Sequence, residues 1–70
     1  MQVTATQIAR TQAEYSRIAG RTVSVEVIGG ALYAFGNELS TLRLFRAMPA
    51  GRQAYSDNRN TFYFSVELKD

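Results

Sequence analysis

The stretch TVSVEVIGGALYAFG, residues 22–36, decides the fold. Its first half alternates. Val23, Val25 and Val27 fall on one side of an extended chain and Ser24, Glu26 and Ile28 on the other, the period of two that marks a half-buried strand. Gly29-Gly30 supplies the two positive-φ positions that a two-residue type I′ hairpin loop demands. Ala31 to Gly36 returns as the second strand. Counting outward from the turn sets the register: Ile28 faces Ala31, Val27 faces Leu32, Glu26 faces Tyr33, Val25 faces Ala34 and Ser24 faces Phe35. The three valines then share a face with Leu32 and Ala34, while Tyr33 and Phe35 turn to the opposite face with Ser24, Glu26 and Ile28. Two rings pointing away from the expected core mark a candidate docking surface.

Upstream, Thr4-Ala-Thr-Gln7 has the form of a capping box, in which Thr and Gln each satisfy an orphan amide. Ala5, Ile8, Tyr15, Ile18 and Ala19 fall on one helical face, with Gln12 a polar intruder, and Gly20 sits where a helix ends. The pattern predicts a helix over 5–19. Its other face carries Arg10, Glu14, Arg17 and Arg21. Glu14 can pair with either neighbour, so this face reads as solvated and self-paired, with a polyanion-binding stripe as the alternative.

Downstream, Gly36-Asn37 closes the hairpin and caps a second helix over 38–47. Leu39, Leu42 and Phe45 (or Arg46) trace its expected buried stripe, widened by Leu44 and Met48. Met48 precedes Pro49, which disfavours helical geometry there and stops the helix, and Ala50-Gly51 turns the chain. Phe62, Phe64, Val66 and Leu68 then alternate with Tyr63, Ser65, Glu67 and Lys69 in the strongest strand pattern of the sequence. Ser56-Asp-Asn-Arg-Asn60 has turn chemistry. With 57–60 as a four-residue loop, residues 52–56 form a third strand, setting Tyr55 opposite Phe62 and Gln53 opposite Phe64. The alternative is one irregular loop over 49–60, long for a compact domain.

The order is therefore α-β-β-α-β-β in 70 residues, a single α+β domain over 1–70. The expected architecture is a curved four-stranded antiparallel sheet with two helices on one face, since two short helices cannot cover both. The covered face takes the valines, Leu32, Ala34, Phe62, Phe64, Val66 and Leu68. The uncovered face takes Ile28, Tyr33, Phe35 and Tyr63, with Glu26, Ser65, Glu67 and Arg52. The competing arrangement buries Tyr33 and Phe35 beneath another segment, such as the N-terminal residues.

Composition narrows the chemistry. A hydrophobic share of 46% and a charged share of 20% suit a folded globule. Cys and His are absent, which removes disulfides, thiolate and imidazole ligands, a Cys nucleophile and a His base. The carboxylates are dispersed, and acid–base work would fall to them, to Tyr or to the lone Lys69. No Ser lies in a nucleophile elbow, there is no P-loop or GxGxxG, and Gly29-Gly30 leads into a strand where a phosphate cradle needs a helix. The chain is expected not to be an enzyme and to need no cofactor. Asp57-Asn58-Arg59-Asn60 reads as a turn and no metal site is expected. No apolar run approaches the roughly 20 residues of a membrane span, and the N-terminal residues lack the pattern of a secretory signal. A cytoplasmic protein with no membrane partner is expected.

Below roughly 70–80 residues a single core rarely supplies more than about 3–5 kcal/mol. A partner or a second copy is therefore expected, most simply in a homodimer. The functional expectation is a non-enzymatic macromolecular binding module. Such a module would be a small regulator or inhibitor of the kind mobile elements carry, docking on a protein through Tyr33, Phe35, Tyr63 and Arg52. Small one-domain proteins without catalytic residues often have such roles. Seven of the eight basic residues are Arg, at a net charge of +2. The alternative is accordingly a nucleic-acid-binding module using Arg43, Arg46, Arg52 and Arg59 beside stacking rings. Glu26 and Glu67 on the same face oppose it, as does the missing RNP1-type signature.

Overall fold

Each helix starts where its capping residues stand. The computed structural model describes residues 4–68, and Lys69, expected to continue the last alternation, lies outside them. In helix α1, Ala5–Ala19, Thr4 Oγ1 accepts the Gln7 N–H at 3.1 Å and Gln7 Oε1 accepts the Thr4 N–H at 2.8 Å. Gly20 ends α1 at φ +80°, where L side chains are strained. Helix α2, Glu38–Ala47, is capped by Asn37, whose Oδ1 accepts the Ser40 N–H at 2.8 Å.

Four antiparallel strands complete the chain: β1 (Ser24–Ile28), β2 (Ala31–Gly36), β3 (Arg52–Ser56) and β4 (Thr61–Glu67). Gly29 and Gly30 stand at φ +56° and +79°. All five β1–β2 pairs match the count made from the turn. The β3–β4 hairpin forms as well, with Tyr55 opposite Phe62 and Gln53 opposite Phe64 across the four-residue loop. The sheet order is β1-β2-β4-β3. The two hairpins lie side by side and join through β2 and β4, which puts Ala34 opposite Phe64 and Phe35 opposite Tyr63.

The helices pack on one face of the sheet. Ala19, Val23, Val25, Leu32, Ala34, Leu44 and Phe64 form the buried core, and Ile8, Tyr15, Ile18, Phe45, Met48, Val66 and Leu68 pack around it. The Tyr15 ring meets Phe64 edge-on at 6.0 Å. Burial, and secondarily the charge of Glu14, push the Tyr15 hydroxyl above its ordinary pKa. Val27 and Phe62 lie on the covered side as expected but are only half-buried.

Helix α2 is rolled relative to the sequence reading. Ser40, Thr41 and Leu44 face the core, whereas Leu39, expected in the stripe, is 53% exposed. Close approach explains the roll. The Ser40 Cβ lies 3.5 Å from where a Cβ on Gly36 would stand, so α2 meets the end of β2 through a small side chain. Thr41 carries its hydroxyl inward without penalty, because Oγ1 bonds the Asn37 and Glu38 carbonyls and accepts from Gln53 Nε2 at 3.2 Å.

The polar intruder of α1 has a defined task. Gln12 Oε1 accepts the Val25 N–H and Ser16 Oγ accepts the Val23 N–H, both at 3.1 Å. One turn apart, these side chains cover the outer edge of the sheet at the start of β1. Among the described residues no helix is long and apolar enough to cross a membrane.

Candidate docking face

Among the described residues no helix lies above the sheet's other face. Strand alternation places Ser24, Glu26 and Ile28 of β1, Tyr33 and Phe35 of β2, Tyr63, Ser65 and Glu67 of β4, and Arg52 and Ala54 of β3 on it. All four residues expected to meet a protein partner, Tyr33, Phe35, Tyr63 and Arg52, therefore share this surface. Three of them form one cluster. Tyr33 and Phe35, two apart on β2, stack with centroids 6.0 Å apart and planes 10° from parallel. Tyr63 leans against both, at 5.3 Å from Tyr33 and 6.2 Å from Phe35. Ring pairs in such offset and tilted geometries contribute beyond their buried area. The rings are half-buried, largely against one another and the sheet. The competing arrangement, with these rings under a further segment, finds no such segment among residues 4–68; the N-terminal residues 1–3 lie outside them.

Arg59 reaches onto the same surface from the β3–β4 loop. Its guanidinium carbon lies 4.3 Å from the centroid of the Phe35 ring, within cation–π range. The same group makes a two-pronged pair with Glu26: Nη1 bonds Oε2, and Nη2 bonds Oε1 at 3.2 Å. The hydrogen bond from Arg59 holds the Glu26 carboxyl below the usual glutamate range, and the charge of Arg59 acts in the same direction. Two open depressions flank Tyr33. One, of about 460 Å³, is lined by Tyr33, Arg52, Ser65 and Glu67 among others. The second, of about 350 Å³, is lined by Ile28, Tyr33, Phe35, Asn58, Arg59 and Tyr63 among others.

The four arginines of the nucleic-acid alternative do not come together. Arg52 and Arg59 belong to the open face. Arg43 and Arg46 belong to α2, on the helical layer, where Arg43 Nη1 bonds the Ala19 carbonyl at 3.2 Å and so caps α1. The open face is also near charge balance, with Arg52 and Arg59 set against Glu26 and Glu67. The Arg59–Glu26 pair escaped the sequence reading, because it depends on β4 lying next to β2, which no local pattern encodes. Among the described residues no group of three carboxylates gathers to hold a metal ion.

No protein-family model, curated protein or solved structure matches this chain.

Proposed function

We propose that this chain is a non-enzymatic binding module, a small regulator or inhibitor that works by covering a protein partner through its open sheet face. The observation that carries the reading is the cluster of Tyr33, Phe35 and Tyr63, three mutually packed rings on the face opposite both described helices. Apolar side chains gathered on a surface usually mark a contact site, and Tyr, Phe and Arg are the residues that interface centres favour. Charge balance supports a protein partner over a polyanion. A phosphate chain laid across the rings would meet Glu26 and Glu67, and Arg59 would have to leave Glu26 to reach it. A protein surface offers both an apolar centre and a polar rim of mixed sign.

Affinity capture from the host, with and without nuclease, tests the reading. The expected result is a protein that survives nuclease and is lost with Tyr33→Ala or Phe35→Asp, each variant keeping the wild-type circular dichroism. Capture that disappears with nuclease, or falls steeply with salt and is weakened by Arg52→Ala, would instead mean nucleic acid and overturn the protein reading. Unfolding of Phe35→Asp would make that ring part of the core and remove the site.

A further inference from the structure

The two outer edges of the sheet are finished differently. At the β1 edge, Gln12 occupies the outward N–H of Val25 and Ser16 that of Val23 just before the strand, and among the described residues only the outward N–H of Val27 is left without a partner there. That direction propagates across the sheet, because bonded and non-bonded pairs alternate along antiparallel strands. With Val25 turned outward, β1 and β2 bond through Ser24–Phe35, Glu26–Tyr33 and Ile28–Ala31. Strands β2 and β4 then bond through Leu32–Val66, Ala34–Phe64 and Gly36–Phe62. By the same count β4 and β3 bond through Thr61–Ser56, Tyr63–Ala54 and Ser65–Arg52. Gln53 and Tyr55 are left with N–H and C=O pointing out of the sheet. Among the described residues no group caps them.

We propose that the β3 edge is a dimerisation edge, filled by β3 of a second copy running antiparallel about a two-fold axis at Ala54. In that register Gln53 faces the partner's Tyr55 and Tyr55 faces the partner's Gln53. Every outward N–H and C=O of the strand then finds a mate. Ala54 meets the partner's Ala54 in a narrow pair, with Cα atoms about 4.5 Å apart, so that like charges placed there would repel and opposite charges would pair. Arg52 lies opposite the partner's Ser56, so no like charges oppose each other. Registers centred on Gln53 or Tyr55 are poorer. They push the outward groups against Gly51, whose N–H is already bonded to the Met48 carbonyl at 3.0 Å, or against the loop at Asp57. Tyr55, 46% exposed in the single chain, gains a neighbour. The strand contains neither Pro nor Lys, two of the devices that blunt free edges. The product is one eight-stranded sheet with both ring clusters on the same side.

Sedimentation equilibrium over a dilution series tests the dimer, and charge swapping tests its register. Ala54→Lys and Ala54→Glu are each expected to sediment as monomers, and an equimolar mixture is expected to recover the dimer mass. N-methylation of the Tyr55 amide, introduced by chemical synthesis, removes only an outward N–H and is expected to weaken association roughly tenfold or more. This variant keeps the test decisive if a charge at Ala54 harms folding. Tyr33→Ala should leave association unchanged, since the edge is independent of the docking face. A wild-type chain that stays monomeric at every concentration, or a dimer that ignores both Ala54→Lys and the N-methyl group, overturns the proposal. A dimer lost with Tyr33→Ala overturns it as well.

Discussion

The Arg59 guanidinium stands over the Phe35 ring at 4.3 Å, although Arg59 belongs to the loop after β3 and Phe35 to the C-terminal end of β2. Arg59 is held there by Glu26 from a third strand. One side chain thus ties the loop to the far side of the open face and keeps a cation beside the rings.

This contact has a titration signature. Glu26 is depressed by its hydrogen bond from Arg59, so its contribution is present above the ordinary glutamate range and is lost as pH falls through the lowered value. Titration followed by NMR should place Glu26 below the usual glutamate range in the wild type and back within it in Arg59→Gln. Stability should change little, because both partners are exposed. An unchanged Glu26 titration in Arg59→Gln would dissolve the contact.

Phe64 and Phe35 separate core from surface. Phe64 is fully buried, with Tyr15 edge-on to it, and Phe64→Ala is expected to cost about 3–5 kcal/mol, a large part of the stability of a domain this small. Phe35→Ala loses ring contacts and some half-buried area, for less than about 2 kcal/mol. Urea denaturation of the two variants checks the order, and equal losses would contradict the layer assignment.

Gly51 is required for space. A Cβ there would stand 2.4–2.5 Å from the Phe64 ring and 2.8 Å from the Ser65 carbonyl oxygen. Because both neighbours are fixed, Gly51→Ala is expected to lower stability by at least about 1–3 kcal/mol. Gly29→Asn is the contrast. Gly29 has φ +56° and open space around it, and Asn suits the first position of a type I′ turn. Thermal unfolding should show a clear loss for the first and almost none for the second.

Gln12 guards an edge. Gln12→Leu deprives the Val25 N–H of its acceptor and is expected to cost about 1–3 kcal/mol, whereas Gln12→Glu retains an oxygen at that place and should cost less. Hydrogen exchange at Val25 should quicken in Gln12→Leu. Equal exchange in all three proteins would show that the contact does not protect the edge.

Local rules explain how much of the fold could be read. Residues 4–7 and 37–40 carry caps whose geometry depends only on neighbours within a turn, and both helices begin where those caps stand. Gly29-Gly30 ties β1 to β2 with no choice of register. Leu39 shows where such rules stop. Its spacing suits a buried stripe, but Gly36 lets α2 approach so closely that Ser40 and Thr41 take the inner positions.

The chain's own order of residues determined the first hairpin, its register and the facing of its side chains, because a period of two and a glycine turn act over a few residues, whereas the second hairpin competed with one irregular loop over 49–60. Tertiary packing alone decided that β2 lies against β4. That neighbouring joins Tyr63 to Tyr33 and Phe35, brings Arg59 within reach of Glu26, and leaves β3 as the uncapped rim. Strand order answers to burial of the whole covered face, centred on Phe64, Leu44 and Ala34, and burial is a sum over distant residues that no short window contains.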